Sequence, residues 1–394
     1  MNTRDDIVVV AARRTPQGAL LGTLSALTAP QLGAAAIRAA LGDAGPGVQA
    51  IDGVTMGCVL SAGLGQAPAR QAALGAGIAL ATPALTINKM CGSGMQAVML
   101  AADQLRAGSA GLLVAGGMES MSNAPNLLPK ARNGYRLGHQ QALDHMFQDG
   151  LQSPWDGKLM GCFADATAAQ YGFTRQMQDE YGAESLRRAR AGVESGAFVR
   201  EIVPVEVPGR RETTLVARDE IPHTLDAARI PTLKPAFGAE GTVTAASSSC
   251  IADGAAALVL ARASVARERQ LRPLARIMGV GWHAREPEWF TVAPVGAISA
   301  ALAAAGWQRD AVDLYEINEA FATVTMAAIH DLQLDPARVN VNGGACALGH
   351  PIGASGARIL VTLLHALAAR GERRGVAALC IAGGEATAIA LEML

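Results

Sequence analysis

Asn88-Lys89-Met90-Cys91-Gly92-Ser93-Gly94 sets a single cysteine between a polar lead-in and a Gly-Ser-Gly step. Just beyond it, Met95, Val98, Met99, Ala102 and Leu105 recur at the three- and four-residue spacing of one buried helix face. The spacing predicts a helix that begins at or just after Cys91. Unpaired N–H groups and the positive end of the dipole favour an anion there, so a thiol so placed is expected to ionise well below its free pKa of about 8.5. The flanking glycines leave room for a substrate to approach the sulfur. A buried cysteine packed like any small apolar residue fits the same seven residues equally well. The rest of the chain decides between the two.

On the N-terminal side of this stretch, strand-like and helix-like segments alternate. Ile7–Ala11 reads as a buried strand, Pro30 to Leu41 as a helix ended by Gly42 and Gly45, and Ile51–Met56 as a strand. Leu112–Ala115 follows as a short strand ending in Gly116-Gly117. The alternation predicts an α/β fold with a mostly parallel sheet covered on both faces. From about residue 121 to 245 charges and prolines become denser, and one solvated helix is expected near Gln176–Arg190. This region reads as an insertion over the core, after which the apolar rhythm resumes at Gly254–Leu260.

The later part repeats the earlier one. Ala44-Gly45 before Ile51-Asp52 is matched by Ala305-Gly306 before Val312-Asp313; Gly92-Ser93-Gly94 by Ala354-Ser355-Gly356; Val114-Ala115-Gly116-Gly117 by Ile381-Ala382-Gly383-Gly384. A period of about 260 residues is far longer than the roughly 20–50 of a solenoid unit. Two homologous halves, with equivalent loops meeting at a pseudo-dyad, explain it.

Composition narrows the function classes. The 394 residues are 50% hydrophobic but only 4% aromatic, which suits close-packed helices on sheets. Net charge is −1 with a pI near 6.7, so nothing favours nucleic acid or an anionic membrane as partner. No apolar run of the roughly 18 residues of a membrane span stands out. The opening Met1–Asp6 carries two acidic residues, and the ending Glu392-Met393-Leu394 is no peroxisomal signal, so neither end reads as an address. Six cysteines lie scattered without metal-type pairing, which fits free thiols in a cytoplasmic protein and no metal site.

Three further stretches carry chemistry. Asn340–Gly356 holds His350 before a proline and among glycines, in a tight loop feeding a helix. A histidine near its ordinary pKa of about 6.5 is the usual base for a thiol. Glu316-Ile317-Asn318-Glu319-Ala320-Phe321 follows an expected strand, Val312–Tyr315, at the end where open α/β sheets place ligands. There Asn318 suits either an oxyanion donor or a helix cap. Leu379–Gly384 runs a strand into a glycine turn, and by itself Cys380 reads as structural. The serine-rich Ala245–Gly254 is expected to precede a helix, with hydroxyls that cap it or bind a ligand's amides. Cys58, Cys162, Cys250 and Cys346 read as packing residues.

Taken together, Asn88–Gly94, Val114–Ser120, Met121–Gly138, Val243–Ala257, Asn318–Phe321, Asn342–Gly356 and Cys380–Glu385 resemble the thiolase family, in order and over nearly the whole length. The resemblance implies the thiolase fold: duplicated βαβαβαββ halves, each with a mixed five-stranded sheet, in an α-β-α-β-α layering. Residues 1–120, resumed at 246–270, would form the first half, 121–245 a loop domain over the coenzyme A site, and 271–394 the second half. By resemblance Cys91 is the acyl-accepting nucleophile, His350 its activator and Cys380 the acid/base at the α-carbon. Asn318 would hold, through a water, one oxyanion hole with His350, and the backbone N–H groups of Cys91 and Ala382 a second. Ser249 would touch the pantetheine arm, while Met160 and Phe321 line the acyl pocket.

The activity implied is reversible condensation of two acetyl-CoA to acetoacetyl-CoA, with coenzyme A and its thioesters as substrates, no resident cofactor, and a homotetramer built as a dimer of dimers. A thiolase for longer 3-ketoacyl chains and a non-catalytic CoA-ester-binding protein are the alternatives. A ketoacyl-synthase-like enzyme is disfavoured, because that kind lacks a second cysteine. The chain departs from the family pattern at Ala382, where a glycine is usual, at Ser247-Ser248-Ser249-Cys250, and at Pro222-His223.

Overall fold

The computed structural model describes residues 5–48 and 50–394; Met1–Arg4, on which the reading of the N-terminus mostly rests, lie outside that range. The main sheet runs, in spatial order, Leu314–Ile317, Arg374–Ile381, Glu385–Met393, Ala275–Ala284, Ile7–Arg14, Ala252–Arg262, Leu112–Ser120, Gly53–Gly57 and Ala84–Ile87. Among the described residues its two halves join only where Val8 and Val9 pair with Arg276 and Ala275. Gly53–Gly57 pairs in parallel with both neighbours, and Leu314–Ile317 in parallel with Arg374–Ile381; the other pairings between these strands are antiparallel.

Side-chain alternation builds five layers. Along the first strand Ile7 and Val9 face one core cluster, Val8 and Val10 another. The alternation slips at Ala11, where a bulge shifts the register. The inner cluster packs both sheets against two central helices, Ser93–Arg106 and Ser355–Arg370. Ala29–Ala44 and Pro68–Gly75 cover one outer face, Ala293–Ala305 and Ala322–Leu332 the other. The duplication extends to small details. Asp52 Oδ2 accepts the N–H groups of Gly111 and Leu112 at 2.6 and 3.0 Å, and Asp313 Oδ2 those of Arg373 and Arg374 at 3.0 and 2.8 Å.

Several expectations change. The strand at Leu112 does not stop at Gly116-Gly117 but runs to Ser120. These glycines serve close approach, not a turn: a Cβ on Gly116 would collide with the carbonyl of Ala256, and one on Gly117 with that of Gly353. Their counterparts Gly383 and Gly384 do form a turn, at φ 99° and 90°. The fifth strand of the second half shrinks to one bridge between Tyr315 and Val339. The serine loop leads into a strand, Ala252–Arg262, not a helix. Pro287–Ala305, at mean hydropathy 1.3, is apolar enough for a membrane span by length and composition, which the sequence reading overlooked. Its helical part buries Ala297, Ile298, Ala301 and Leu302 against the sheet, and that packing accounts for the apolarity.

Between Ser120 and Ala252 the chain leaves the sheet, forming two helices, Met160–Tyr171 and Arg175–Ser195, and a hairpin of Val205–Pro208 with Thr213–Val216. Buried Arg14 anchors this excursion, bonding Glu201 at 2.6 Å and both oxygens of Asp219 at 2.7 and 2.8 Å.

The central helices cross where neither has a side chain. A Cβ on Gly94 would lie 2.8 Å from the amide of Ala357, and one on Gly356 2.7 Å from Cβ of Met95. Gly94→Ala is therefore expected to cost about 1–3 kcal/mol, since backbone and not a flexible side chain must move. A lowered urea midpoint of the purified variant is the measurement; an unchanged midpoint contradicts this account of the crossing.

Candidate active site

Cys91 stands two residues ahead of its helix, whose N-cap is Gly92. The turn is locked. Met90 takes φ 47°, its N–H donates to Asn88 Oδ1 at 2.9 Å, and Ser93 Oγ accepts from Lys89 N at 2.8 Å and donates to the Met90 carbonyl at 2.7 Å. A side chain at Gly92 would collide with Ile381, so the turn lies directly on the end of the strand that carries Cys380. Lys89 Nζ reaches Glu385 across the same junction at 2.5 Å.

Burial raises the Cys91 thiol to about 11, against the lowering effect of the amides of Ala382 and of Cys91 itself and with a smaller push from Glu119. This corrects the expectation of a depressed pKa. The sulfur precedes the first helical turn, and although the residue as a whole is only half-buried, desolvation outweighs the two amides. Cys380, fully buried, is raised well above the ordinary thiol range by burial first and by Cys91 second. The two sulfurs are thus near enough to act on each other.

His350 comes from the second half through Gly349, at φ 99°, and Pro351. Its N–H donates to the Cys250 carbonyl at 2.8 Å. Nδ1 lies 2.5 Å from Ser355 Oγ, whose own proton has the Pro351 carbonyl at 3.0 Å. This pattern assigns the ring proton to Nδ1 and leaves Nε2 as the acceptor. Nε2 is buried with no hydrogen-bond partner among the described residues. Burial, aided by the charge of Arg358, lowers His350 to about 3.

Asn318 lies beyond the strand Leu314–Ile317, its Nδ2 3.5 Å from His350 Nδ1 and its Oδ1 accepting from Arg358 Nη2 at 3.5 Å. It does not cap the next helix, whose N-cap is Phe321. Behind it, buried Glu316 faces Arg358 at 3.9 Å and is raised to about 8 by burial.

A cavity of about 170 Å³ opens on His350, walled by Met160, Phe321, Phe237, Met121 and Ile352 and reaching Ser248, Ser249 and Cys250. Cys91 packs on the cluster of Met121 and Ile352, whereas Cys380 belongs to that of Phe321, with Met160 and Phe237 against it. The structure therefore brings Cys91, His350, Cys380, Asn318, Ala382, Ser249, Met160 and Phe321 to one place. A second cavity, about 240 Å³ and lined by Leu186, Leu225, Arg229, Leu233 and Ala246, lies on the other side of the serine loop. A third, about 470 Å³ between Phe173, Tyr181 and Met326, contains none of these groups.

Sequence reasoning missed Ser355, Arg358 and Glu119. Ser355 was legible as the repeat of Ser93, and Arg358 as a charge within an apolar helix; Glu119 left no local signal.

Comparison with known proteins agrees with this geometry. The model of the thiolase N-terminal domain matches residues 7–264 and that of the thiolase C-terminal domain residues 271–393. The chain belongs to the thiolase family. It is 50% identical to acetyl-CoA acetyltransferase 2 of Arabidopsis thaliana over 99% of this chain and 97% of that one. The acetyl-CoA acetyltransferase of Bacillus anthracis superposes with a TM-score of 0.97 at 38% identity, each chain covered in full. The thiolase Acat5 of Ascaris suum, solved with coenzyme A, gives 0.93 at 42% identity over 99% of this chain and 100% of that one.

Two measurements check the electrostatics. With the Cys91 thiol near 11, the rate of its alkylation by iodoacetamide in the free enzyme is expected to climb throughout pH 7–9; a plateau reached below pH 7 contradicts it. His350 is neutral in the fold, while its unfolded counterpart takes a proton below about 6.5. The stability that it contributes is therefore present above that pH and lost as pH falls toward 3. At pH 5 the loss is about 2 kcal/mol, so the urea midpoint is expected to drop less from pH 7 to 5 in His350→Asn than in the parent.

Proposed function

We propose that this thiolase is an acetyl-CoA C-acetyltransferase that joins two acetyl-CoA into acetoacetyl-CoA and coenzyme A, and runs the reverse thiolysis, through an acetyl group on Cys91. The observation that carries the reading is the convergence of two thiols, one from each half, with a histidine whose Nε2 is free to accept a proton. The relatives' names support the choice of acetyl-CoA.

Each step balances. His350 Nε2 takes the Cys91 proton as the sulfur attacks the thioester carbonyl, and the amides of Ala382 and Cys91 face the oxyanion. Coenzyme A leaves with a proton from Cys380. The Cys380 thiolate then removes an α-proton from the second acetyl-CoA, whose enolate oxygen is met by His350 and, through a water, Asn318. The enolate carbon attacks acetyl-Cys91, a C–C bond replaces the C–S bond, and the departing sulfur recovers its proton from His350. High starting pKa values suit this sequence, because each proton moves only when a substrate is present to drive it.

The cavity at His350 would hold the acyl group, Ser249 the start of the pantetheine arm, and the cavity beyond the serine loop the rest of coenzyme A. The small volume of the His350 cavity, about 170 Å³, favours a small acyl group over longer chains. A cytoplasmic homotetramer, a dimer of dimers, completes the reading; the mass of the purified protein in solution tests it.

Cys380→Ala is expected to lower turnover in both directions by about 10²–10⁴-fold, the usual worth of a positioned acid/base. It should still gain one acetyl group on Cys91 by mass spectrometry. Loss of labelling together with turnover contradicts the assignment. In the parent enzyme, a tenfold preference for a longer 3-ketoacyl-CoA over acetoacetyl-CoA overturns the choice of substrate.

A further inference from the structure

The loop carrying His350 rests on a strand of the opposite half. At Gly117 that strand lacks the Cβ that would strike the Gly353 carbonyl and lie 2.8 Å from Cα of Ala354, so the loop's backbone drops into a slot. Two residues further, on the same face, Glu119 grips the loop. Its Oε2 accepts the N–H groups of Gly353 at 2.8 Å and Val59 at 3.0 Å. Its Oε1 accepts that of Leu60 at 3.1 Å and faces the Cys58 thiol at 3.6 Å. Gly353 is in turn so close that a Cβ there would come within 2.6 Å of Oε2 and 3.0 Å of Cα of Cys58.

Glu119 is wholly buried, and all its hydrogen-bond partners are uncharged donors. Burying a carboxyl without a cation is costly, and an apolar side chain would pack at less expense. What the carboxyl alone supplies is two acceptor oxygens that tie three amides from both halves at one point. Only Gly353 of these lies in the loop, three residues after His350.

We propose that Glu119 is a positioning residue: it fixes the His350 loop against the Cys91 half, so that Nε2 meets the sulfur in line for proton transfer. The inference rests on the proposed role of His350 as the base for Cys91. The titratable groups facing Glu119 are Cys58 and Cys91, and burial raises its own carboxyl to about 7.

The test uses the full-length enzyme. Glu119→Gln turns an amide N–H₂ toward N–H donors, and Gly353→Ala pushes the loop off while leaving the carboxyl in place. Both are expected to lower kcat at least tenfold with KM for acetoacetyl-CoA within twofold, and to slow iodoacetamide alkylation of Cys91. If neither variant folds, amide exchange in the parent decides. Corrected for intrinsic rates, Val59, Leu60 and Gly353 should exchange faster together as pH falls below 7 and Glu119 takes up a proton. Variants with parental kcat and alkylation, or three amides whose protection ignores pH, overturn the proposal. A parent enzyme inert toward acetoacetyl-CoA refutes the functional reading instead; an active parent matched by both variants refutes only the role of Glu119.

Discussion

Everything at the reactive centre depends on two buried helices touching backbone to backbone. Gly94 and Gly356 meet where any side chain would collide with main-chain atoms, and each helix starts immediately after a reactive loop. The crossing sets the distance between the Cys91 turn of one half and the His350 loop of the other. A duplicated fold alone would place equivalent loops in the same neighbourhood. The glycine contact draws together the two helix starts that follow them.

The same burial that aligns these groups also keeps them uncharged. Desolvation outweighs hydrogen bonding for both thiols, and burial together with the charge of Arg358 lowers His350, so the free enzyme holds thiol, imidazole and thiol, not an ion pair. Most of the fully buried charge lies in a second rank. Arg14 with Glu201 and Asp219 sits behind the helix that follows His350, where Thr362 bonds Glu201 at 3.3 Å, and Arg358 on that helix faces Glu316. Arg358 connects the ranks, holding Asn318 while its charge helps keep the neighbouring imidazole neutral. A neutral site behind a charged rear suits chemistry in which thiolate, oxyanion and imidazolium appear only briefly.

Glycine serves two purposes that the sequence writes identically. Gly116-Gly117 and Gly383-Gly384 each follow a β-branched residue and an alanine, yet the first two sit in a straight strand, admitting Ala256 and the His350 loop, while the second two turn the chain at positive φ. The repeat showed that the halves are related. It did not show that one copy had kept the strand and the other the turn, because that depends on which neighbour lies against each glycine.

Local residue patterns determined the alternation of strands and helices, the duplication, and the stretches holding Cys91, His350, Asn318 and Cys380, since periodicity and Gly/Pro punctuation act over a few residues and survive in any context. The tertiary structure decided what depends on distant neighbours. It reversed the expected acidity of Cys91, because burial is a property of the whole fold and not of the helix that follows. It drew Ser355, Arg358 and Glu119 into the site, and it reduced the fifth strand of the second half, at Val339, to a single bridge. Glu119 is the clearest case: its stretch, Val114–Ser120, marked the family but assigned the carboxyl no role, and its partners at Val59, Leu60 and Gly353 stand beside it only once the two halves are closed.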